Sequence, residues 1–147
     1  AIERYSLSMA QIVAAKRGED ITLESGEQIA NEAITYRPYG TLSYAYCSDT
    51  NYSARLARMV EGVDVLYHEA TYAADMRKTA KERGHSTTED AAKVAKMAGA
   101  GRLLIGHFSS RYKDLSLLLN EAREVFPATD IAAEGETFLI EPKPHKE

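Results

Sequence analysis

The sequence predicts an α/β fold with at least partly parallel strands. Short apolar and aromatic runs at residues 42–46, 63–67 and 103–105 alternate with segments of helical period. Histidine or acidic residues follow each run, as they do where strands of an α/β sheet end in a functional crevice. At 147 residues the chain is the size of one ordinary domain, long enough to bury a core.

Each element has its own warrant. Residues 6–15 place Leu7, Met9, Ile12 and Val13 at loosely helical spacing, and Gly18 ends the segment. Residues 21–23 and 28–29 flank Glu24-Ser25-Gly26-Glu27, which reads as a small hairpin with a glycine turn. After Pro38 and Gly40, residues 42–46 form a strand that ends in Cys47-Ser48-Asp49-Thr50. Residues 52–60 put Leu56, Ala57 and Val60 on one helical face, closed by Gly62. The strand at 63–67 runs into His68-Glu69-Ala70-Thr71, and residues 73–83 look helical.

Ser86 with Glu89 three residues later makes a capping box, which starts a helix just after His85. Its buried stripe is Ala91, Val94, Ala95 and Ala98, small residues suited to close packing on a sheet. Gly99 and Gly101 break it before the short buried strand at 103–105, and His107 follows. A last amphipathic helix spans 115–126 and stops at Pro127; residues 131–133 and 138–140 are strand-like. The tail at 142–147 is expected to be loose, with no role for His145.

Composition narrows the function classes. A formal charge of −4 gives no whole-chain field for nucleic acid, so phosphate binding needs a metal or a local basic patch. Arg77, Lys78, Lys81 and Arg83 form such a patch leading into His85, although a charge run of this kind also fits a plain solvated helix face. The single Cys47 excludes an internal disulfide and fits a reducing compartment. No apolar run approaches the ~20 residues that span a bilayer, and no signal-peptide pattern is present, so the expected location is cytoplasmic and off the membrane. The first residue is not Met, which fits a start inside a longer chain.

Asp49, His68 with Glu69, and His107 all follow predicted strands, and His85 precedes a capped helix. If those strands are neighbours, the groups share one rim. Imidazole and carboxylate are the natural donor set for zinc, which lowers the pKa of a bound water toward ~7. The count is short, because a catalytic zinc takes three protein ligands, and neither His-x-His nor Cys-x-x-Cys occurs. Plain readings stay open: Asp49 fits an N-cap for the next helix, His68 a satisfied strand-end histidine, and Arg111 and Tyr112 structural partners.

Four segments then carry a resemblance. Tyr46-Cys47-Ser48-Asp49-Thr50, His68-Glu69-Ala70-Thr71-Tyr72, Gly84-His85-Ser86-Thr87 and His107-Phe108-Ser109-Ser110-Arg111-Tyr112 occur in this order. Together they resemble the carboxyl-terminal half of bacterial ribonuclease Z, the tRNA 3′-processing endonuclease family of the metallo-β-lactamase superfamily. Lys16-Arg17-Gly18-Glu19-Asp20-Ile21-Thr22-Leu23 is similar to the stretch where that family resumes after its tRNA-binding arm. The resemblance implies half of an αββα sandwich, a sheet with helices on one face (α+β in some schemes). Residues 1–147 would be the carboxyl-terminal part of a single domain, with 1–20 the end of the substrate-binding arm and its return segment.

By the same resemblance, Asp49 bridges two zinc ions, His107 is a terminal ligand of one of them, and His85 is a catalytic residue oriented by Glu69. His68, Thr71, Ser86, Thr87, Arg83 and Lys81 are then the implied substrate contacts. The implied reaction is hydrolysis of one phosphodiester bond after the discriminator nucleotide of precursor tRNA, by water activated at the metal. The implied partners are precursor tRNA and either a missing amino-terminal half or a second copy of the chain, the family being homodimeric.

Two departures accompany the match. The family's His-x-His-x-Asp-His run, which supplies most ligands, is not in this sequence, so the chain alone is expected to bind zinc poorly and not to cleave tRNA. Ser48 stands where the family usually has Gly, and a positive φ there would strain the turn before Asp49. Two other readings are weighed against this one: a metallo-β-lactamase-type hydrolase of small esters, thioesters or sulfates, and a non-catalytic fragment that self-associates through an exposed sheet face.

Overall fold

The computed structural model describes residues 2–35 and 40–141. The chain divides into two compact units, one within Ala1–Gly40 and one within Thr41–Pro142. The expected tail at 142–147, with His145, lies outside the described residues.

In the first unit, the helix expected over 6–15 forms as α2 (Met9–Lys16), and a short α1 (Ile2–Tyr5) that periodicity did not reveal precedes it, the two separated at Ser6, whose φ of 49° is left-handed. Ser8 then restarts it: its hydroxyl accepts from the Gln11 N–H, and the Gln11 side chain accepts from the Ser8 N–H at 2.9 Å. The hairpin forms as predicted, with β1 (Ile21–Thr22) antiparallel to β2 (Gln28–Ile29) and Gly26 at φ 85° in its turn. A four-residue α3 (Asn31–Ile34) follows that periodicity did not reveal. It is fixed by tertiary bonds: the buried Asn31 amide donates to the Ala15 and Glu19 carbonyls at 2.8 and 3.0 Å, and its backbone N–H donates to Asp20.

The second unit is the predicted α/β layer. Its strands β3 (Tyr44–Cys47), β4 (Val65–Glu69), β5 (Arg102–Gly106) and β6 (Thr129–Ile131) pair in that order, all parallel. Between them run α4 (Ala54–Met59), a 3-10 turn (Ala74–Met76) leading into α5 (Arg77–Glu82), α6 (Thr88–Ala98) and α7 (Ser116–Val125). Each connection is a βαβ crossover, so the sheet grows in one direction and its helices gather on one face. Leu66, Leu103 and Ile105 from the sheet meet Ala57, Ala91, Val94, Ala95 and Ala122 from the helices in one buried cluster. The alanines let α6 lie close to the strands, and the predicted stripe of Ala91, Val94, Ala95 and Ala98 is buried throughout.

Several boundaries differ from the sequence reading. α6 starts one residue later, because Thr87 and Asp90 form the capping box. Ser86 is unavailable as a cap, since its hydroxyl donates to the Thr50 carbonyl at 2.6 Å, while Glu89 pairs with Lys93 and Arg77. Residues 138–140 form no strand, and β6 begins at Thr129, earlier than the apolar run suggested. On the face opposite the helices, Tyr44 and Tyr46 of edge strand β3 are exposed, and Tyr46 stacks on Tyr67 with ring centroids 4.5 Å apart. Gly106 is required beneath that stack, because a Cβ there would meet the Tyr67 hydroxyl at 2.5 Å. No described helix is long and apolar enough to cross a membrane.

Candidate active site

Three adjacent parallel strands end at one rim. Asp49 lies two residues beyond β3, Glu69 is the last residue of β4, and His107 is the first residue beyond β5. His85 joins them from the loop between α5 and α6. One ligand atom from each of Asp49, His85 and His107 falls within 4.8 Å of the others, with Asp49 Oδ1 3.8 Å from His107 Nε2 and the two imidazole centroids 5.3 Å apart. The convergence anticipated from the sequence is therefore present. Asp49 and His107 are exposed and His85 is half-buried, so the cluster opens outward.

Backbone strain accompanies the cluster. Asp49 and His107 both sit in the left-handed region, at φ 50° and 59°. Asp and His are among the side chains that tolerate this conformation best, and such residues concentrate at functional sites. The left-handed residue of this turn is Asp49 and not Ser48, so the strain that a positive φ would bring at Ser48 does not arise. The capping reading of Asp49 is also displaced: Ser53 caps α4, its hydroxyl accepting from the Leu56 N–H at 3.2 Å.

Beneath the rim lies a wholly buried carboxylate. Glu69 accepts from the Thr50 N–H (2.7 Å), the Thr71 hydroxyl (2.7 Å), the Ser86 N–H (3.1 Å) and His85 Nδ1 (3.0 Å). Burial alone would raise its pKa, but these donors outweigh burial and hold it below the ordinary glutamate range. An ionised carboxylate only accepts, and this fixes the protons around it. Thr71 must give its single hydroxyl proton to Glu69, so its oxygen, 3.0 Å from His107 Nδ1, accepts from that nitrogen. His85 likewise donates from Nδ1. Both histidines are left with Nε2 free to act at the rim, the arrangement by which an outer partner sets the tautomer of a working imidazole.

Four expected substrate contacts prove to be interior. His68, Ser86 and Thr87 are 0% exposed and Thr71 only 6%, so their side chains support the rim instead of facing a ligand. Ser86 ties the loop before α6 to the loop after β3, Thr87 caps α6, and Thr71 links Glu69 to His107. His68 donates from Nδ1 to the Glu69 carbonyl at 2.7 Å, and its Nε2 has no hydrogen-bond partner among the described residues. Burial pushes the His68 pKa down and keeps the ring neutral.

The linear basic patch is divided by helix geometry. Arg77 and Lys81, four residues apart on α5, line a cavity beside His85, whereas Arg83 points to the Tyr72 hydroxyl at 3.4 Å. Arg111 stacks over the Tyr72 ring, its guanidinium carbon 5.3 Å from the centroid, instead of pairing with a carboxylate as a structural role for it had suggested, and the Tyr112 hydroxyl accepts from the Ala73 N–H. Sequence reasoning passed over the Thr50 N–H, Tyr52 and Lys93. The signal for Lys93 was its place on α6, one turn beyond Glu89.

A divalent metal fits this donor set: a hard carboxylate and two imidazoles on a concave rim, with tautomers fixed from behind. Residues 11–108 match the family model described as the beta-lactamase superfamily domain. A protein named ribonuclease Z from Porphyromonas gingivalis is 45% identical over 134 residues, covering 91% of this chain and 44% of that protein. The chain thus spans less than half the length of this curated relative. The metallo-β-lactamase fold protein YhfI from Bacillus subtilis superposes with a TM-score of 0.61 at 32% identity, over 66% of this chain and 39% of that one. A long form RNase Z from yeast superposes at 0.52 with 28% identity, over 59% of this chain and 12% of that one. With its parallel sheet, its helices on one face and its rim of Asp49, His85 and His107, the chain belongs to the beta-lactamase superfamily.

Proposed function

We propose that this chain carries part of the active centre of a zinc-dependent endoribonuclease that removes the 3′ trailer of precursor tRNA by hydrolysing one phosphodiester bond. The observation that carries the proposal is the buried Glu69, which orients His85 directly and His107 through Thr71, so that two imidazoles and Asp49 meet at one rim. The ribonuclease Z relatives support RNA as the class of substrate, and the four resembling segments support precursor tRNA within it. In this reading Asp49 and His107 Nε2 are zinc ligands, and further ligands come from residues outside this sequence. A zinc ion held by those side chains would supply a water with its pKa lowered toward ~7 and positive charge against the phosphoryl oxygens.

The rest of the work falls to side chains of this chain. His85, held through Nδ1 by Glu69, presents Nε2 to the scissile phosphate. When that nitrogen carries a proton, it can stabilise charge on phosphoryl oxygens and hand the proton to the leaving 3′ oxygen. Lys81 and Arg83 add positive charge for the RNA backbone. Residues 1–20 are the end of an RNA-binding arm, and a second copy of the full protein completes a homodimer. Alone, the chain holds zinc weakly and does not cleave.

The test is cleavage of precursor tRNA by the full-length protein that contains this chain. Asp49→Ala, His107→Ala and His85→Ala are each expected to abolish trailer removal, with zinc content lost in the first two and retained in the third. A full-length protein that ignored precursor tRNA yet hydrolysed small esters or sulfates would overturn the proposal.

A further inference from the structure

A cavity of about 630 Å³ opens beside His85 on the helix side of the rim. Tyr52 lines it from the loop after β3, Arg77 and Lys81 from α5, and Asp90 and Lys93 from α6. Its volume lies within the ~300–1,000 Å³ typical of small-ligand sites.

Charge in the cavity is unevenly neutralised. Glu89 is shared between Arg77 and Lys93, lying 3.2 Å from the Lys93 ammonium. The Asp90 carboxylate accepts from the Thr87 N–H and hydroxyl at 3.1 and 2.8 Å, so its capping role occupies it. Lys81 has no ion pair among the described residues. Three cations therefore face one shared and one engaged carboxylate, which leaves the cavity positive within an acidic chain. Tyr52 adds a ring held in place, its hydroxyl donating to the Met97 sulfur at 3.2 Å.

We infer that this cavity is a nucleotide subsite, taking the residue of single-stranded RNA next to the scissile phosphate. Lys81, with Arg77 and Lys93, holds that nucleotide's backbone phosphate, and Tyr52 stacks on its base. Cations that track the backbone beside an aromatic platform are the recurring chemistry of single-strand binding. Every base has a π-face, so the subsite tolerates any sequence. The RNA assignment rests on the nuclease reading above; the nucleotide chemistry rests on the cavity alone.

The test titrates adenosine 5′-monophosphate, adenosine and inorganic phosphate separately into this chain, followed by 1H–15N chemical shifts. The expected result is that the monophosphate perturbs Tyr52, Lys81 and Lys93 more strongly than either half does, with affinity falling as salt rises. Lys81→Glu with Lys93→Glu is expected to weaken binding about tenfold or more, and Tyr52→Ala at least about fivefold. Shifts elsewhere, or none, would overturn the subsite; so would a Tyr52→Ala chain that binds unchanged, since only an anion site would then remain.

In the full-length protein the double lysine variant is expected to raise KM for precursor tRNA at least about tenfold. If it cleaves normally, the subsite fails and the nuclease reading stands. If the wild-type protein does not cleave precursor tRNA but the monophosphate still maps to the cavity, the nuclease reading fails and the nucleotide site stands.

Discussion

Replacing Glu69 with Gln removes one charge and almost no volume, which makes it a sharp probe of the buried network. Glu69 Oε1 accepts from the Thr50 N–H and Oε2 from the Ser86 N–H, at 2.7 and 3.1 Å. Neither backbone donor can be reversed. Whichever way the Gln amide is turned, its NH2 group confronts one of them, leaving a buried donor unsatisfied at a cost of about 1–3 kcal/mol. The bonds that survive fall from charge-assisted to neutral strength, a further loss of about 1 kcal/mol. Relief of the carboxylate's desolvation offsets part of this, so the net destabilisation is about 2 kcal/mol.

Urea unfolding of the chain reads that loss as a lower midpoint at unchanged m, with the exposed Glu134→Gln as control. The pH dependence supplies a second reading. The Glu69 pKa is held below its ordinary 4.5, so its stabilisation is present above that value and is lost as pH falls through the depressed folded-state pKa. The gap between wild type and Glu69→Gln must therefore narrow below about pH 4.5. A variant within about 0.5 kcal/mol of wild type at pH 7, the range of ordinary surface changes, would refute the view that Glu69 organises the rim.

Three further outcomes are expected. Thr71→Val removes the hydroxyl that joins Glu69 to His107 and should weaken zinc binding about 10–100-fold, measured by calorimetry on the full-length protein; unchanged affinity would mean that His107 needs no outer partner. The depressed pKa of His68 means that stability is full above its ordinary 6.5 and declines as pH falls below that value, so His68→Asn should flatten the stability profile between about pH 6.5 and 5 in chemical denaturation; parallel profiles would contradict a buried neutral ring. Gly101→Ala drives a Cβ to 2.6 Å from the Asp64 carbonyl, a backbone atom with little room to yield, and should cost about 1–3 kcal/mol by thermal or urea unfolding, where a neutral result would show that the strand entry can shift.

Much of the layer could be read from local pattern. The alanine stripe of α6, the apolar runs of β4 and β5 and the small hairpin all follow from side-chain period, because burial selects the same faces that periodicity marks. Where two local readings competed, a distant partner chose between them. Ser86 and Thr87 are both plausible caps, and the Thr50 carbonyl, 36 residues from Ser86, took the first and left the second for α6. Asn31 has no periodic neighbours to announce α3, yet three hydrogen bonds to residues 11–16 positions away hold it.

The candidate site divides in the same way. Asp49, Glu69, His85 and His107 were legible from residue type and from their places at element ends. That Thr71, Ser86, Thr87 and His68 lie inside was not, since a loop residue's depth depends on what packs over it. The basic run from Arg77 to Arg83 gave its charge in sequence, but the turn of α5 directed Arg77 and Lys81 into the cavity and Arg83 toward Tyr72.

The order of residues thus determined which groups could do chemistry and which elements would carry them, because residue type and period act over a few positions. Only the folded sheet decided that three strand ends would lie side by side, that one buried carboxylate would fix two imidazole tautomers, and that a positive cavity would open beside His85. Those outcomes depend on distances across the chain, which parallel strand pairing sets and local sequence does not.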